Sequence, residues 1–130
     1  MTSLRSPLGR ALGTGSARSG SGHWWLQRVT AIALVPLTLW FLFSLLLLPD
    51  LGYLTVRAWL STPFSGFLAV LLIAVLAYHA DLGTRVVVED YVHSAGIRVM
   101  TLLSLRCAYV LAAGMAIFAV LRIVFGAPVA

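Results

Sequence analysis

The sequence predicts an all-α integral membrane protein with three transmembrane helices and a cytoplasmic N-terminus. Composition is the first reason. Of 130 residues, 61% are apolar and 10% are charged, and the mean hydropathy is +1.00. A soluble domain carries about 25% charged residues, and so short a chain has too little interior to hide this much apolar surface. Disorder is excluded too, because it needs low hydrophobicity. The second reason is spacing: three apolar stretches each reach the ~20 residues that cross a ~30 Å hydrocarbon core. The third is periodicity, since no stretch alternates like a strand and a closed barrel needs about eight strands.

The elements follow in chain order. Residues 1–22 hold five Gly, five Ser and three Arg with no acid. That composition cannot build a core and reads as a flexible basic arm. Its acid-free, Arg- and Ser-containing character also fits an organellar transit peptide. Residues 23–130 form the membrane domain, with spans over about 25–48, 64–88 and 99–125. In the first span, residues 29–48 carry no charge. Trp24 and Trp25 precede them as an interfacial belt, with Arg28 at the entry. Pro36 predicts a kink inside this span, and Pro49, Asp50 and Gly52 end it. Pro63 stands where a second helix begins. The last third of that span is broken by His79, Asp81 and Arg85, and the third span carries Arg106 and Arg122.

Orientation follows from the arginines. All nine basic residues are Arg, against four acids, for a net charge of +5. In a soluble protein that excess would suggest nucleic acid; here it sets topology, and no nucleic-acid partner is expected. Arg5, Arg10, Arg18, Arg28, Arg85 and Arg98 fall on one side, and Arg57 and Arg122 on the other. The side richer in Arg is cytoplasmic, or the matrix side in a mitochondrion. The lone Cys107 excludes a disulfide framework and a cysteine metal site.

Ionisable groups inside a membrane are costly and face protein or cofactor by default. His79 lies 11 residues before Asp90, about 16 Å along a helix at ~1.5 Å per residue, near mid-depth. A neutral imidazole there can ligate haem iron or hydrogen-bond a neighbouring helix. Gly83, one turn on, leaves room for a flat group to approach the same face. Asp81, Arg85 and Glu89 recur at intervals of four and suit an ion-paired stripe or a proton relay. Tyr91 beside Asp90 suits an aromatic belt or a hydrogen bond to a ligand carbonyl. His93 reads as a loop residue and His23 as an interfacial one. Ala108, Ala112, Ala116 and Ala119 make a small-residue stripe for helix assembly. No nucleophile with a base, phosphate loop or metal-ligand cluster is apparent, so any redox chemistry belongs to a borrowed cofactor.

Several of these residues together carry a family resemblance. They are Gln27-Arg28-Val29-Thr30-Ala31 at the start of the first span and His79-Ala80-Asp81-Leu82-Gly83 in the second, followed by Val88-Glu89-Asp90-Tyr91-Val92. Over about residues 23–125 the chain resembles the smaller membrane-anchor subunit of succinate:quinone oxidoreductase, respiratory complex II, in its alphaproteobacterial and mitochondrial form. The resemblance implies that His79 is one axial ligand of a haem b whose other ligand comes from the larger cytochrome b anchor subunit. It gives Tyr91 a hydrogen bond to ubiquinone and Asp90 a place in the same site. It sets Arg28 near the haem propionates or the quinone pocket. It also implies iron–sulfur and flavoprotein subunits as partners, with succinate oxidised in the latter. The basic arm before His23-Trp24-Trp25 favours a bacterial inner membrane over a mitochondrial one. The alternative, from another class, is a cofactor-free membrane scaffold that uses its small and charged stripes only for assembly. A transporter is weaker, because three spans without a repeated broken helix offer little for alternating access.

Overall fold

The computed structural model describes residues 20–126. The expected basic arm, up to residue 19, and the last four residues lie outside that range. Four helices follow one another: α1 (Gly20–Leu46), α2 (Tyr53–Ser61), α3 (Pro63–Tyr91) and α4 (Ala95–Phe125). No strand occurs among the described residues. Three of the helices are long and apolar enough to cross a membrane, so the chain is an all-helical, multi-pass membrane protein.

The three long helices begin before the predicted spans; α3 also runs past its predicted end, α4 ends where predicted, and α1 stops two residues short of residue 48. Helix α1 begins at Gly20 and carries on through Pro36. Helix α3 keeps Asp90 and Tyr91 helical, and α4 starts at Ala95. Counting only uncharged residues measures the hydrocarbon layer, whereas backbone hydrogen bonding continues into the headgroup region. At ~1.5 Å per residue, α1, α3 and α4 are about 40 to 46 Å long, well beyond a ~30 Å core. Sequence reasoning treated 49–62 as a plain connection, but it contains α2, whose nine residues are too short to span. The Asp50 carboxylate sets its start, accepting from the Gly52 N–H at 2.6 Å and the Thr55 hydroxyl at 2.9 Å. A Cβ on Gly52 would stand 2.5 Å from Asp50 Oδ1, so a larger residue there would shift the carboxylate from its place on the backbone. Trp59 of α2 stacks on Trp40 of α1 at 5.7 Å between ring centroids, and Phe64 meets Trp40 edge-on at 6.4 Å. This aromatic cluster closes one end of the molecule.

Helix α3 is the centre of the fold. It packs against each of the other three helices, whereas α1 and α4 do not meet among the described residues. The long helices therefore form a row, with α1 and α4 flanking α3. A row buries little: the core reduces to Leu37, Ala69, Leu72, Leu82, Val88 and Val120, with no large side chain fully enclosed among the described residues. At the α2 end the row is held tightly. A Cβ on Gly66 would run into Val124 Cγ2 of α4 and stand 3.1 Å from the Leu60 carbonyl.

Candidate functional site

The polar centre of the fold lies where α3 crosses α1. His23, Gln27 and Thr30 recur at i, i+4 and i+7 on α1, which places them on one face. Opposite them, His79 is half-buried on α3. Its Nδ1 lies 2.9 Å from Thr30 Oγ1, and its Nε2 lies 3.3 Å from the Gln27 side-chain nitrogen. Thr30 is 8% exposed, one of two buried polar residues among those described.

The Thr30 hydroxyl lies 2.8 Å from the Leu26 carbonyl and 3.1 Å from that of Gln27, and it donates into that pair. With its one proton used there, its oxygen is left to accept from His79 Nδ1 in the tautomer that carries the ring proton on that nitrogen, and in that tautomer Nε2 accepts from the Gln27 amide. The Gln27 contact is at the long end of hydrogen-bond distances, and Gln27 Oε1 is buried with no partner. His23 Nε2, one turn before Gln27, is likewise buried and unpartnered. Such atoms are uncommon in native folds and call for an explanation. Gly83, one turn beyond His79, lets the α3 backbone approach α1: a Cβ there would stand 3.4 Å from the Gln27 amide.

The other expected site residues lie apart from this centre. Arg28 is exposed and its guanidinium sits over the Trp24 ring at 5.3 Å, a cation–π contact within one helical turn. Asp90 and Tyr91 form the end of α3, both exposed, Tyr91 at 79%. They stand 11 and 12 residues from His79, about 16 to 18 Å along the axis. His93 is exposed in the short α3–α4 loop. The anticipated ion-paired stripe does not close: no ion pair links Asp81, Arg85 and Glu89 among the described residues. Asp81 instead lines a groove of about 360 Å³ between α3 and α4, together with Arg106, Tyr78 and Tyr109. In the alanine stripe, Ala108, Ala112 and Ala119 are exposed on α4, turned outward from the row.

Sequence reasoning found His79 but missed its partners. The signal was present: His23, Gln27 and Thr30 are a polar stripe at helical spacing at the head of an apolar span. The described residues contain no cluster of three His, Cys, Asp or Glu able to hold a bare metal ion. The donor set is instead a single imidazole on a helix face.

Residues 2–123 match the family described as succinate dehydrogenase/fumarate reductase transmembrane subunit. A succinate dehydrogenase hydrophobic membrane anchor subunit of Rickettsia bellii is 45% identical over 91 residues, covering 68% of this chain and 71% of that protein. The Paracoccus denitrificans protein of the same description is 29% identical over 122 residues and covers 94% of each chain. A succinate dehydrogenase membrane anchor subunit of Reclinomonas americana is 35% identical over 92 residues, 68% of this chain and 77% of its own.

Proposed function

Because the chain belongs to the succinate dehydrogenase/fumarate reductase transmembrane subunit family, we propose that it is the small anchor of a succinate:ubiquinone oxidoreductase that co-ligates haem b and helps bind ubiquinone. Its work is to hold a soluble dehydrogenase at the membrane and pass electrons from an iron–sulfur subunit to quinone. Succinate oxidation belongs to a flavoprotein subunit, and a larger cytochrome b anchor subunit supplies the second haem ligand. The membrane is a bacterial inner membrane, with the N-terminus and the α3–α4 loop on the cytoplasmic side, a reading that the arginine distribution supports.

One observation carries the haem assignment: His79 Nδ1 lies 2.9 Å from the buried Thr30 hydroxyl, placed to donate to it, while Nε2 faces only a long contact of 3.3 Å. That is the arrangement a ligating histidine needs, since a ligand imidazole binds through one nitrogen and donates its other N–H to a neighbour. What supports a polar prosthetic group here is the chemistry of the crossing: buried polar atoms of His23 and Gln27 stand without partners beside the imidazole, and Gly83 brings the α3 backbone up to Gln27. His79 would hold the iron, and Gln27 would release its contact to admit it. A bound haem b supplies one-electron redox chemistry at this depth. Tyr91, exposed at the end of α3, donates its phenolic proton in a hydrogen bond to a quinone carbonyl. Asp90 beside it contributes a carboxylate to the same site and to proton delivery, while Arg28, within a turn of Gln27, offers a cation to propionate or quinone.

The test is the optical spectrum of the complex carrying His79→Leu. The b-type bands are expected to shift or disappear; unchanged bands would remove His79 as a ligand. A second reading has one observation behind it, namely that both ring nitrogens of His79 already have partners within the chain. In that reading the protein is a cofactor-free scaffold in which His79 ties α1 to α3. Colourless material purified in mild detergent without a dehydrogenase would establish it.

A further inference from the structure

We propose that Thr30 is a positioning residue for His79, its hydroxyl fixing the ring so that Nε2 is the nitrogen offered to iron. The proposal rests on the haem assignment above. Its ground is the hydrogen-bond chain at the α1–α3 crossing. The Thr30 hydroxyl donates to the Leu26 carbonyl at 2.8 Å and so can only accept from His79 Nδ1, 2.9 Å away. Thr30 is buried, so water does not compete for either bond. The backbone carbonyl thus orients the hydroxyl, and the hydroxyl orients the imidazole.

Three consequences follow for the ring. It is locked as the tautomer with Nδ1 protonated. Its plane is anchored at one edge to α1, so rotation about the side chain is restrained. Donating the Nδ1 proton to an acceptor pushes electron density toward Nε2, which makes that nitrogen the stronger electron donor to iron. A stronger donor favours ferric over ferrous iron, so the Thr30 hydroxyl would lower the potential of the centre it serves. Valine and alanine lack the hydroxyl, while serine keeps it and loses only the methyl group.

The experiment uses the whole complex, with Thr30→Val, Thr30→Ala and Thr30→Ser beside His79→Leu. Two quantities are read: the haem b midpoint potential by optical redox titration, and the rate at which haem passes to an excess of apomyoglobin. Removing such a supporting partner costs about 10- to 100-fold in metal affinity, so haem loss should quicken by about tenfold or more in both Val and Ala variants. The potential should rise in both, and Thr30→Ser should restore both quantities to near wild type. Unchanged potential and release in the Val and Ala variants would overturn the proposal. So would a change in only one of them, or an equal change in the Ser variant, because these trace to packing and not to the hydroxyl. A normal b-type spectrum in His79→Leu would instead defeat the haem assignment, which separates the two failures.

Discussion

Replacing Gly66 with alanine tests whether the row of helices is held by the close crossing at its α2 end. The added Cβ meets two neighbours of different stiffness. Val124 is a side chain in the last turn of α4 and can yield by a rotamer change or a small shift of that turn. The Leu60 carbonyl, 3.1 Å away, is backbone at the end of α2 and cannot swing aside. Overpacking a close contact costs about 1–3 kcal/mol. A value near 2 kcal/mol corresponds to about a thirtyfold loss in the equilibrium favouring the docked arrangement. The assay is the thermal midpoint of the purified complex in mild detergent, read by loss of quinone reductase activity. Combining Gly66→Ala with Val124→Ala should recover the side-chain part, with a coupling of about 1 kcal/mol, and leave the Leu60 part in place. The b-type spectrum should not move, because Gly66 lies 13 residues, about 20 Å along α3, from His79. An unchanged thermal midpoint in Gly66→Ala would refute the reasoning, as would strictly additive costs in the double variant.

Two further outcomes test the proposed function. Tyr91→Phe should leave assembly, haem and dye reduction intact while quinone reduction falls by about tenfold, the upper end of what one lost hydrogen bond is worth; undiminished quinone reduction would remove Tyr91 from the site. A Ser94→Cys reporter in a Cys107→Ala background should react with a membrane-impermeant thiol reagent in inside-out vesicles and not in intact spheroplasts. The reverse pattern would invert the topology.

The sequence made the three membrane helices plain because hydrophobic length acts along the chain and needs no knowledge of packing. His79 stood out for the same reason, as an ionisable group where lipid tolerates few. What remained hidden depended on which faces meet. Gln27 and Thr30 look like ordinary polar residues near a helix start until α1 crosses α3 and sets them against His79. Asp81 matched an i, i+4 pairing pattern with Arg85, but packing of α3 on α4 instead puts it in a groove with Arg106. Helix α2 escaped notice because its nine residues carry neither the length of a span nor a capping side chain at Gly52. Its start is set by Asp50, two residues earlier.

The row of helices has a consequence for the life of the protein in the cell. Because α1 and α4 stand apart on either side of α3, a newly inserted copy leaves the groove between α3 and α4, largely apolar but holding Asp81 and Arg106, open at its flank until other subunits arrive. Its persistence is then governed by mass action with those subunits and not by its own folding free energy. Copies made in excess of their companions are the ones surveillance proteases meet with Asp81 and Arg106 uncovered. Balanced synthesis of the subunits is, on this view, built into the way three helices were laid side by side.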